Sequence, residues 1–433
     1  MGKHSKENEK EKDVKNEFEE LKEAEKISEN DKKDRIKLNK KKEKKEKKSH
    51  KGLIAFIIIV ILLGGGAAAC YFLDKYNVID LSVVKNLFKG NSETQVDEPK
   101  EELPPEIVDI VDLKSTSRPF AVAINNHPDA VKVQTGLNDA YLVYEIATEG
   151  STSRLLAFFK DKEGTKIGTV RSARLNFLDF CFEQDAVFCH FGHNSLAKQD
   201  ITSTKINDID GFVLSSNDET FWRENKENLA YEHRVFTTID KLKEFATDKE
   251  WPLKNESAEN VNLLKYNVGD VDLSTREDAI KADEISVPYG TGFNTRYEYD
   301  PETKEYKRYR DDAKGKNWNL VVDHETGEAF TAKNIIVEKV TYQVMNDEKH
   351  VWKLGTIGSG EGYFITNGYA VPIKWSKADR KSKTVYTYLD GTEIEVSDGR
   401  TYINVQTTSK ELTIKENEVP VENTEATNEN KAE

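Results

Sequence analysis

Four of the eight histidines, His127, His190, His193 and His233, fall between residues 113 and 248. Imidazole titrates near neutral pH, so each is a candidate acid, base or hydrogen-bond donor. His127 closes the run Asn125-Asn126-His127, which follows the apolar segment Pro119–Ile124. In an α/β fold, ligand-binding residues gather beyond a strand's carboxyl end, and this run sits there. A capped turn before Pro128 explains the same residues without chemistry. Arg171, Ser172 and Arg174 lie in IGTVRSAR, after a glycine and ahead of a predicted helix. Two guanidiniums at that spacing, beside free helix N–H groups, suit a phosphate or a carboxylate. Glu145 and Glu149 are the acids able to work with His127 or to neutralise these arginines, leaving one arginine structural and one facing a ligand.

Other motifs point to packing rather than reaction. Cys189-His190-Phe191-Gly192-His193 mixes two zinc-ligand types. On a strand, however, Cys189 and His190 point to opposite faces, and no second ligand pair is close in sequence. No metal and no cofactor is therefore expected. Cys181 stands between Phe180 and Phe182 on a predicted helix, where an inert buried thiol is usual. Gly358-Ser359-Gly360-Glu361-Gly362 looks like a phosphate loop, but no helix follows it and it reads as a turn. Trp318, Trp352 and Trp375 could line a carbohydrate or peptide surface, though core packing is their commoner role.

The elements that must position these residues fall into two patterns. Strands at Pro119–Ile124, Arg154–Phe159, Ala186–Phe191 and Arg234–Thr237 alternate with helical spacing at Leu137–Ala147, Leu175–Glu183 and Ile239–Thr247. That alternation predicts an α/β domain over 113–248. A connecting segment, 249–284, follows. From Ile285 the period becomes two, and Asn367-Gly368, Asp390-Gly391 and Asp398-Gly399 supply hairpin turns. A mostly antiparallel β-rich domain is expected over 285–406, followed by a disordered acidic tail, 407–433. The fold class is thus α+β/α/β.

Residues Gly52–Leu73 contain no charged side chain, long enough for one transmembrane helix. Lys and Arg crowd its amino-terminal side, which predicts a cytoplasmic amino terminus and extracytoplasmic domains. Residues 1–51 carry 19 Lys/Arg and 14 Asp/Glu with almost no aromatic residue, a composition for a disordered cytoplasmic tail. The acidic, Pro-bearing stretch 74–112 reads as a linker. The whole chain of 433 residues carries −14, so everything after residue 51 carries −19. An acidic ectodomain argues against nucleic acid as a partner. Three cysteines make no disulfide framework. The Lys/Asn/Glu/Ile-rich composition is typical of a Gram-positive surface protein.

The segments AINNHPDA (123–130), TGLNDAYLVYE (135–145), IGTVRSAR (167–174), Phe221-Trp222-Arg223 and the stretch around His233 follow a familiar order. LGTIGSGEGYFITNG (354–368), Lys374-Trp375 and SDGRTYINV (397–405) continue it. Over roughly 113–406 the chain resembles the YerB-like family of bacterial surface proteins, whose domain has no known function. The resemblance implies an extracytoplasmic place near the wall and a two-part architecture. It brings no catalytic residues. Its members are described as lipoproteins, whereas Cys70 here follows Ala67-Ala68-Ala69, a poor acylation site.

Two functions fit these readings. One is a non-catalytic, membrane-anchored binding or scaffold protein of the envelope, with peptidoglycan fragments or envelope proteins as partners. The other is a wall-acting hydrolase or transferase using His127 with Glu145 or Glu149 and the Arg171/Arg174 pair.

Overall fold

A computed structural model describes residues 108–417 except 216, 226–227 and 347–349. The expected cytoplasmic tail, the transmembrane span, nearly all of the linker and residues 418–433 lie outside the described residues. Among the described residues no helix is long and apolar enough to cross a membrane.

One mixed sheet organises this part of the chain. Its strands run in the order Val385–Tyr388, Tyr369–Lys377, Gly358–Thr366, Asn334–Val340, Thr401–Thr407, Leu142–Ala147, Ser153–Phe159, Phe120–Ile124, Val187–His190 and Asp208–Asp210. The join is Thr401–Thr407. It pairs in parallel with Asn334–Val340 on one side and with Leu142–Ala147 on the other, Ile403 lying opposite both Ile336 and Tyr144. Every residue of Thr401–Thr407 is buried. Parallel strands covered on both faces read as such continuous runs.

Side chains along Leu142–Ala147 alternate between two layers, as a strand's period of two requires. Tyr144 faces the helix Phe177–Glu183, where its hydroxyl donates to Glu183 Oε1 at 2.6 Å. Its neighbour Glu145 faces a second sheet made of Trp318–Leu320, Glu305–Asp311, Thr295–Asp300, Glu284–Val287 and Thr413–Lys415. The fold is therefore mixed but β-rich, with few helices. Burying each Val, Ile or Leu between these layers contributes roughly 1.5–3 kcal/mol before entropy is subtracted.

Several elements differ from the sequence reading. Leu137–Ala147 is not a helix: Leu137–Asp139 forms one tight turn and Leu142–Ala147 a strand. Leu142, Val143, Tyr144 and Ile146 are all buried, so the apparent helical spacing was a two-sided apolar strand. Gly358–Gly362 is not a turn either but the start of strand Gly358–Thr366. A Cβ on Gly362 would sit 2.1 Å from the Val337 carbonyl oxygen, and one on Gly360 2.5 Å from Trp375 Nε1. Glycine permits that close approach between neighbouring strands. Thr413–Lys415 pairs with Glu284–Val287 inside the segment read as a tail. Cys181 and Cys189 are free and buried.

Candidate functional site

At the carboxyl end of Phe120–Ile124 the chain is held against two loops. Asn125 N–H donates to the Thr169 carbonyl and Arg171 N–H to the Ala123 carbonyl. Val170 N–H in turn bonds the Val235 carbonyl, which brings the turn Tyr231–His233 alongside. His127 and His233 consequently stack, ring centroids 4.8 Å apart and planes 19° apart. His127 caps the short helix Pro128–Val131, its Nδ1 accepting from Asp129 N–H at 3.3 Å. Its side chain is 47% exposed. Arg171, 26% exposed, lies 4.0 Å from the half-exposed Glu232.

Behind this surface the acids and most of the arginines are consumed internally. Glu145 is fully buried and accepts from Ser153 Oγ at 2.7 Å, Thr295 Oγ1 at 2.9 Å, Arg308 Nη2 at 2.9 Å and Asn126 Nδ2 at 3.0 Å. Burial alone would raise its carboxyl, but Arg308 and Arg310 outweigh burial and hold it below the usual range. One carboxylate does not serve two guanidiniums equally. Burial and the charge of Arg308 push Arg310 down to about 10, still protonated at neutral pH. Glu149 is clamped by Arg174, Nη2 to Oε1 at 2.6 Å and Nε to Oε2 at 2.8 Å. That bidentate pair overcomes burial and lowers the Glu149 carboxyl.

His190 belongs elsewhere. Its Nδ1 faces the Gly192 carbonyl at 2.9 Å and its Nε2 faces Asp208 at 3.2 Å, with no exposure. Asp210 accepts from the backbone of Gly192 and Phe212 and so fixes the loop behind the site. Ser172 lies in the neighbouring loop after Gly168, next to Gly192, its carbonyl accepting from Arg154 at 3.4 Å.

Next to the histidines is an aromatic cleft of about 370 Å³ lined by Phe191, Phe212, Phe221, Trp222, Arg223 and Tyr231. Phe212 and Tyr231 are 68% and 67% exposed. Arg223 bridges the rings, its guanidinium carbon 3.8 Å from the Tyr231 centroid and 4.6 Å from that of Phe191. A larger cleft, about 830 Å³, opens on the other side, with Pro128, Asp129 and Arg310 among its walls.

His127, Asp129 and His233 place their donor atoms within 4.8 Å of one another, the spacing of a metal site. The hydrogen bonding does not fit one. Asn125 Oδ1 accepts from His127 N–H, which turns its amide nitrogen toward His233 Nδ1 at 2.8 Å. Asn125 therefore donates to His233, whereas a metal-binding histidine donates from its second nitrogen. Binding a cation through Nε2 would cost that bond. Burial first, then the charges of His127 and Arg171, lower the His233 pKa and favour the neutral ring.

Two family models match the chain: the N-terminal domain of the protein of unknown function DUF3048 over residues 109–252, and its C-terminal domain over 285–403. A relative named "Putative lipoprotein YerB", from Bacillus subtilis (strain 168), is 28% identical over 291 residues, which is 66% of this chain and 81% of that protein. The crystal structure of YerB from Bacillus subtilis superposes with a TM-score of 0.56 at 26% identity, covering 70% of this chain and 95% of that one. The chain belongs to the YerB-like family.

In this YerB-like chain the fold gathers His127, Arg171 and Ser172 at one surface, with His233, 5% exposed, and Asn125 and Asn126 buried beneath them. Glu145, Glu149, Arg174 and His190 are internal. Asp129, Glu232, Arg308, Arg310 and the aromatic cleft were not singled out from sequence as site residues. A signal for the arginines existed: in EYKRYRD (305–311), alternation places Tyr306, Arg308 and Arg310 on one face, and two arginines on a buried face demand an acid.

Proposed function

We propose that this YerB-like chain is a membrane-anchored, extracytoplasmic binding or scaffold module of a Gram-positive envelope. Its ligand, a peptidoglycan fragment or an envelope protein, sits across the His127–His233 surface and the aromatic cleft. One observation carries this reading: donors and exposed rings converge at the surface, while the oxygens of Glu145 are filled by Asn126, Ser153, Thr295 and Arg308 and those of Glu149 by Arg174. Exposed aromatics beside cations supply contact area and orientation, which suits binding. The lipoprotein name of the relative and the charge asymmetry around Gly52–Leu73 support attachment to the outer membrane face.

Acid–base catalysis by His127 with Glu145 or Glu149 has less support. A base needs a free lone pair within reach of a substrate proton, and these two acids are bonded inward.

The test is incubation of the purified chain with intact sacculi, followed by sedimentation and mass spectrometry of the supernatant. The binding reading expects retention that Phe212→Ala and Tyr231→Ala weaken, with no released fragments. Fragments that disappear in a His127→Ala variant would instead establish an enzyme.

A further inference from the structure

Arg171 is unlike the other arginines around the site. Arg174 clamps Glu149, Arg234 bonds the Leu229 carbonyl, and Arg308 and Arg310 are tied to Glu145, Gly292 and Asn294. Among the described residues, the Arg171 side chain donates no hydrogen bond to the protein. Its nearest acid is Glu232, at 4.0 Å and half exposed. Burial and the like charges of Arg174 and Arg223 act against it, with Glu232 and Glu149 in its favour.

The two imidazoles complete the picture. Asn125 donates to His233 Nδ1, and Asp129 N–H donates to His127 Nδ1. With both Nδ1 atoms accepting, each neutral ring must carry its proton on Nε2. Neither Nε2 has a hydrogen-bond partner among the described residues. Stacking at 4.8 Å keeps the rings together. A guanidinium with unused donors and the His127 Nε2–H thus stand at the surface, with the His233 Nε2–H, from a residue 5% exposed, stacked beneath them.

We propose that Arg171, His127 and His233 form a receptor for an oxyanion, a carboxylate or phosphate carried by the ligand. This rests on the binding function above and names the chemical group that the site takes. The aromatic cleft beside it receives the apolar or sugar part of the same ligand. Glu232 closes the far side of Arg171 and is displaced by the incoming anion.

The experiment uses the full chain with 15N-labelled histidine, assigned with His127→Gln and His233→Gln, and observed by NMR through the imidazole nitrogens. Inorganic phosphate and acetate are titrated separately against chloride at constant ionic strength. Before titration, both rings are expected as Nε2–H tautomers. Either anion should then shift both rings saturably, and Arg171→Gln should weaken the apparent affinity at least about tenfold while leaving the tautomers unchanged. A stronger response to phosphate points to a phosphate-bearing ligand, and one to acetate to a carboxylate. Rings unmoved by both anions, or found protonated on Nδ1, overturn the proposal. Sacculus retention with unmoved rings would refute the oxyanion site and leave the binding function standing. Shifted rings without retention would do the reverse.

Discussion

Glu338 offers the sharpest test of the energetic reasoning. It lies in Asn334–Val340, fully enclosed, with the Tyr386 hydroxyl donating to Oε1. Burial raises its carboxyl from 4.5 to about 7; the Tyr386 hydrogen bond and Lys377 act against this, and nearby Glu183 adds to it. Lys377 is committed to Glu183 at 2.5 Å and compensates Glu338 only in part. A folded-state pKa above the unfolded one means that the native protein holds an extra proton between about pH 4.5 and 7. Stability from this group is fully present below 4.5 and is lost as pH rises through 7. The shift is 7 − 4.5 = 2.5 units, so the loss is on the order of 3 kcal/mol at 1.36 kcal/mol per unit. Glu338→Gln keeps an acceptor for Tyr386 and removes the titration. Urea unfolding at pH 5, 6, 7 and 8 should show wild type losing stability relative to this variant up to about pH 7, then running parallel. Curves parallel throughout would refute the claim that burial governs this carboxyl.

Removing the partner of Glu145 should be severe. Arg308→Met leaves a buried carboxylate short of its strongest counter-charge, and a loss of about 3–5 kcal/mol is expected in urea unfolding. A loss below about 1 kcal/mol would mean that Arg310 suffices alone. Cys181 and Cys189 have thiols raised first by burial, with nearby Cys189 and the acids Glu183 and Asp179 adding to Cys181, and Asp208 to Cys189. Both should resist a disulfide-exchange reagent in the native protein and react after denaturation; fast native labelling would contradict their burial.

How much of this was legible in the sequence depends on distance along the chain. Phe120–Ile124, Ser153–Phe159, Phe177–Glu183 and Ile239–Asp248 carry their own period and appear where expected. So does the hairpin at Asn367-Gly368, whose residues both have positive φ. The stack of His127 on His233 was not legible as a pair, because it depends on backbone bonds between segments far apart in sequence. Sequence alone did not say which of Arg171 and Arg174 is structural; Arg174 is, because Glu149 lies within its reach. The parallel insertion of Thr401–Thr407 had no local signal at all, since periodicity names a strand but not its neighbours.

That strand also bears on biosynthesis. A chain made amino end first presents Leu142–Ala147 with one side unpaired until Thr401–Thr407 has emerged. Until then an apolar strand edge is open to other chains. Completion of the sheet is consequently a late event, possible only once nearly all of the described chain has been made.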